Sequence, residues 1–170
     1  NVLTVGFGEE LVPAVNDWAD ALGGALGRAP STLKDFAGSL QAMMVTLTGN
    51  RNAAAQMSTR LAELSVNMGS FFNKADADVL NDLRSAFAGS TETLQKYGIV
   101  MTEANLQQFA LSKGITKSVR DMDQAEKTML RYQFVVENTS MVHGDAAKTA
   151  DSYANVTKAL GEEFKTMRET

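Results

Sequence analysis

The residues whose types and spacing come nearest to a reaction site lie at the start of the chain. Val2-Leu3-Thr4-Val5-Gly6-Phe7-Gly8, ahead of a helical pattern, imitates a dinucleotide-binding unit, where glycines let a pyrophosphate approach a helix N-terminus. The imitation fails at the third glycine position, where Leu11 stands. Glu9 and Glu10 would repel phosphate, and no second strand bearing a ribose-binding acid follows. These residues read as a flexible apolar entry to a helix. Ser31 and Lys34 have the serine-x-x-lysine spacing that sets an amine one helical turn from a nucleophilic hydroxyl. The companion motifs of that chemistry are missing, and a serine between a proline and an apolar periodic run is expected to cap a helix.

Two acidic groups, Asp121 with Asp123 and Asp76 with Asp78 and Asp82, offer oxygen ligands. A calcium loop also needs a glycine at its sixth position, and Glu126 occupies that place. Acids in the first turn of a helix favour the positive end of its dipole, which accounts for both groups without a metal. His143 is the only histidine, so two-histidine metal sites are excluded and no nucleophile–base pair forms around it. Lys113, Lys117 and Arg120 share one helical face, but Asp121, Asp123 and Glu126 follow at once and cancel their field. The chain is therefore read as non-enzymatic, with no catalytic, cofactor-binding or metal-binding residue assigned.

What remains is a pattern of elements. Of 170 residues, 44% are apolar, enough to bury a core. Pro13 and Pro30 are the only two prolines, so everything after them lacks a residue that forbids a helix. Alanine, leucine, glutamine, glutamate, lysine and methionine fill that region, and all lose little freedom in a helix. The net charge of −4 suits neither a phosphate-binding surface nor an acidic tail. With no cysteine, disulfides and thiolate chemistry are out. No run of about 18 apolar residues offers a membrane span. The opening on Asn1, with neither an initiator methionine nor a basic leader, reads as the cut end of a longer protein.

Apolar residues stepping by three and four predict helices over Glu9–Leu26, from a Ser31 cap to Leu47, through Met57–Phe71, over Asp76–Phe87 and in a short stretch Ser90–Tyr97. The third has the most regular stripe: Met57, Leu61, Leu64, Met68 and Phe71 face one side, while Arg60, Glu63 and Asn67 occupy others. Thr102 is expected to cap Glu103–Lys113, and Asp121 with Gln124 to form a capping box for a helix through Val136. A last helix carries Tyr153, Val156, Leu160, Phe164 and Met167. Glycines interrupt every stripe after two or three turns, so the expected fold is all-α, a multi-helix bundle or chain of helical hairpins rather than one coiled-coil rod. Met43, Met57, Met68, Met101, Met129 and Met167 punctuate the stripes as adaptable packing residues, some available to a partner.

From about Thr32 onward the order of segments resembles the tail tape measure proteins of long-tailed bacteriophages. The likeness runs through Met57-Ser58-Thr59-Arg60-Leu61, Gly69-Ser70-Phe71-Phe72-Asn73, Leu83 to Glu92, and Leu94-Gln95-Lys96-Tyr97-Gly98-Ile99. It continues in Glu126-Lys127, Arg131-Tyr132 and Gly144 to Ser152, with Ala154-Asn155 after them. Residues 1–31 match weakly and form an entry region; residues 32–170 form the family-like helical region.

The resemblance implies a helical section of a long structural protein, extended in the tail-tube lumen, around which tube subunits polymerise until its length is reached. It implies residence in the virion, after assembly in the host cytoplasm, and three kinds of partner: sister copies, the tail-tube protein and a tail assembly chaperone. A helical adaptor or partner-binding bundle without catalytic activity is the alternative that the same periodicity allows.

Overall fold

Asn50 begins the central element. Its side-chain carbonyl accepts from the backbone N–H of Ala53 at 2.9 Å and so caps a 22-residue helix, Arg51–Phe72. In the computed structural model, which describes residues 2–142, this helix is the fourth of seven α-helices. They are α1 Val2–Phe7, α2 Val12–Leu26, α3 Pro30–Thr48, α4 Arg51–Phe72, α5 Asp76–Phe87, α6 Glu103–Ser112 and α7 Gln124–Asn138. Short 3-10 turns at Thr91–Tyr97, Val119–Asp121 and Ser140–Val142 join or end them. Among the described residues there is no strand, and the architecture is an all-α multi-helix bundle.

Helix α4 packs against α3, α5, α1 and the Ser140–Val142 turn, while α3 also carries α2, α1 and α7. One apolar core runs through the bundle, from Phe7, Trp18 and Leu22 through Leu40, Met44, Met57 and Leu64 to Phe87, Tyr97 and Val135. The entry region thus shares its core with the rest. Two devices hold α4 close to its neighbours. At its N-terminal half, the fully buried Gln41 of α3 donates from Nε2 to the carbonyls of Gly6 (3.3 Å) and Arg51 (3.2 Å) and accepts from Ser58 Oγ (3.1 Å). At its C-terminal end Gly69 meets the start of α5, where an added Cβ would lie 2.6 Å from Asp76 Oδ1 and 2.9 Å from the Lys74 carbonyl. The Arg28–Asp76 ion pair, 2.7 Å, ties the α2–α3 connection to the same corner.

Several expectations change. The first predicted helix begins at Val12, with Glu9 in the turn before it. Val2–Phe7 is a helix rather than a flexible entry, because Leu3 and Phe7 reach the core and Gly6 lets the turn lie against Gln41. Ser31 is not a cap: Pro30 takes the first helical position, Ala29 stands at the N-cap, and Ser31 is exposed inside α3. The capping box of α7 is Asp123 with Glu126, since Asp121 belongs to the preceding 3-10 turn. Phe71 leaves the buried stripe of α4 and is 57% exposed, whereas Glu63 and Asn67, on other faces of the helix, are buried as well. The last helix, with Tyr153 to Met167, and His143 lie outside the described residues.

Candidate functional site

The residues first singled out for chemistry do not converge. Gly6 sits within α1 and Gly8 ends it with φ +80°, so no strand precedes the glycines as a dinucleotide site requires. Lys34 Nζ lies 3.8 Å from Asp20 Oδ1 on α2, and Ser31 is exposed. Asp76 pairs with Arg28, raising the pKa of that guanidinium by hydrogen bond and charge. Asp82 accepts from Tyr97 Oη and pairs with Lys96 at 3.3 Å. Burial first, and then that hydrogen bond, push the Tyr97 phenol upward. Asp123 accepts from the Glu126 backbone N–H at 2.8 Å as a helix cap. Among the described residues no three histidine, cysteine or acidic side chains gather as metal ligands.

Lys113, Lys117 and Arg120 do not share one helical face: Lys113 ends α6, Lys117 lies in the connection after it, and Arg120 sits in the 3-10 turn. Lys113 pairs with Glu137, and Lys117 with Glu126 at 2.8 Å. Between these pairs, Ile115, Met122, Met129 and Leu130 floor an open groove of about 240 Å³, rimmed by Lys113, Glu126 and Gln133. Both rim charges are already paired, Lys113 with Glu137 and Glu126 with Lys117, which leaves no convergent polar group to orient a small molecule.

The unusual chemistry is in α4 instead. Residues 53–69 are buried or half-buried around the full circumference of the helix, a setting that ordinarily selects a helix apolar on all sides. One face meets that demand with Met57, Leu61, Leu64 and Met68, all fully buried. Another carries Gln56, Arg60, Glu63 and Asn67, stepping by four, three and four. Gln56 Oε1, Glu63 Oε2 and Asn67 Nδ2 are buried atoms without a hydrogen-bond partner among the described residues. Glu63 is only 4% exposed, and burial pushes its carboxyl up to about 7 against the opposing pull of Arg60. Each such orphan costs about 1–3 kcal/mol, so this polar seam sits in the core at a cost to the isolated fold.

Comparison with known protein families, characterised proteins and solved structures gives no match to this chain. A polar stripe at heptad spacing inside a helical core trades stability for register and choice of partner. Sequence periodicity alone passed over it, because polar residues off the main apolar stripe ordinarily face water. The four-three-four spacing was the one available signal.

Proposed function

We propose that this chain is a helical section of a phage tail tape measure protein, acting by its length within the tail tube and not by catalysis. The observation that carries the reading is the run of family-like segments in fixed order from Met57 to Thr170. The all-helical bundle is compatible with it, since helices supply a fixed rise per residue. Among the described residues no helix is long and apolar enough to cross a membrane. On this reading the apolar faces engage sister copies, the tail-tube protein and a tail assembly chaperone, and the protein resides in the tail lumen.

Tail length is the test. In-frame removal of α4, 22 residues, from the phage gene should shorten assembled tails by about 33 Å per virion at 1.5 Å per residue. Tails of unchanged length on particles that still assemble would overturn the ruler. A helical partner-binding module is the second reading, favoured by the polar seam of α4, and predicts that no tail length depends on this segment.

A further inference from the structure

Ser58 and Gly69 mark the side of α4 that its neighbours hold. Ser58 bonds Gln41 of α3, and Gly69 lies against Lys74 and Asp76 at the start of α5. At about 100° per residue, Gly69 stands within about 20° of Ser58 around the helix, so α3 and the α5 corner share one side. Helix α1 sits at the start of α4, where Gln41 joins the carbonyls of Gly6 and Arg51. By the same spacing, Gln56, Arg60, Glu63 and Asn67 lie about 140–180° around from Ser58. The seam is on the far side from α3, yet Glu63 and Asn67 are only 4% and 7% exposed. The Ser140–Val142 turn also packs on α4, and from it the chain runs on as residues 143–170, beyond the described ones.

We propose that residues 145–170 return along α4 and cover the Gln56–Asn67 seam within the same copy. Reach allows it. Ten residues separate Val142 from Tyr153 and span up to about 33 Å, as much as the whole of α4, 22 residues at about 1.5 Å each. Tyr153, Val156, Leu160, Phe164 and Met167 step by three, four, four and three, a stripe of about 21 Å as a helix against about 16 Å for the seam. Thr149, Tyr153 and Thr157, at four-residue steps, bring three hydroxyls to that face. Arg60 already has a partner, and the seam atoms left to answer are the acceptors Gln56 Oε1 and Glu63 Oε2 and the donor Asn67 Nδ2. A hydroxyl both donates and accepts, so this face suits all three.

The tether selects this occupant over a second copy or another protein, because a segment that starts beside α4 is held there at high effective concentration. The mixed chemistry of the seam also suits a cover that leaves and returns: bare, it offers polar groups to water and no continuous apolar patch. The inference is independent of the length-setting role.

The full 170-residue chain tests the return directly. Lys158→Cys is the one cysteine in an otherwise native sequence, lies off the apolar stripe by helical spacing, and carries a nitroxide. Amide signals of residues 56–67 should lose most of their intensity, while those of α2, which packs on α3, keep theirs. Adding Leu160→Asp to the labelled chain should return the lost intensity, since the stripe no longer docks. When nitroxide-bearing copies are mixed with isotope-enriched copies that lack the label, the enriched seam should keep its signals. If collapsed signal dispersion shows that Leu160→Asp unfolds the bundle, the labelled chain and the mixture decide between them. Seam signals that survive in the labelled chain, a loss that persists with Leu160→Asp in a folded bundle, or a loss in the mixture, the mark of a second copy on the seam, overturns the proposal.

Discussion

The Ser58 hydroxyl of α4 donates to the side-chain carbonyl of Gln41 on α3 across 3.1 Å, both side chains being fully buried. Gln41 uses its amide nitrogen on the carbonyls of Gly6 and Arg51 as well, so one side chain serves three elements. Gln41→Leu keeps much of the volume but leaves the Ser58 hydroxyl and both carbonyls without this partner. It should lower stability by about 2–4 kcal/mol, whereas Ser58→Ala, which strands only the Gln41 oxygen, should cost about 1–3 kcal/mol. Urea unfolding of both variants gives the comparison, and a Gln41→Leu variant as stable as wild type would remove Gln41 as the tie.

Leu64 and Phe71 belong to the same apolar stripe by spacing but not by environment. Leu64 is fully buried and Phe71 is 57% exposed. Leu64→Ala should therefore cost about 2–5 kcal/mol. Phe71→Ala loses mainly its edge-on contact with Phe72, centroids 5.0 Å apart, and should cost less than about 1.5 kcal/mol. Thermal melts that rank the two variants the other way round would contradict the placement of the α4 C-terminus.

Much of the fold was legible in the sequence because local signals and tertiary demands agree. The span Asp76–Phe87, with Asp76 and Asp78 in its first turn, and the Thr102 cap on α6 both follow from cap and dipole chemistry. Where they disagree, sequence reading fails for identifiable reasons. Val2–Phe7 contains Gly6, a poor helix former, yet it is helical because it docks Leu3 and Phe7 into the core. Glu63 and Asn67 have the polarity of a solvent face, and only the packing of other elements around α4 buries them. The candidate seam depends on that packing, so its spacing was visible and its burial was not.

Two glycines inside helices should respond oppositely to alanine. Gly24 of α2 is exposed, and a Cβ there would meet nothing within 4 Å. Gly24→Ala should stabilise by roughly 0.5–1 kcal/mol through the lower entropy of the unfolded chain. At Gly69 a Cβ would press on the Lys74 carbonyl at 2.9 Å and Asp76 Oδ1 at 2.6 Å, so Gly69→Ala forces α4 and α5 apart and should cost about 1–3 kcal/mol. Equal and opposite shifts are not required. A stabilising Gly69→Ala would show that the α4–α5 corner is looser than described.

Stability should also fall as pH rises through the range set by Glu63. Burial pushes this carboxyl from its ordinary 4.5 up to about 7 in the folded chain. Below 4.5 the group is protonated in both folded and unfolded states and has no differential effect. Between 4.5 and about 7 the unfolded chain releases the proton while the folded chain retains it, so the unfolded state gains. Above about 7 both are ionised and the loss levels off. The shift corresponds to as much as roughly 3 kcal/mol, acting in the sense opposite to a carboxylate held by a salt bridge. Glu63→Gln keeps the shape and cannot ionise, so it should flatten this part of the profile and exceed wild type in stability at pH 8. Urea midpoints measured from pH 4 to 8 on both proteins decide the matter. A wild type whose Glu63-dependent stability rises across this range would mean that the carboxylate is ionised and paired in the fold, and the seam would then carry no uncompensated acid.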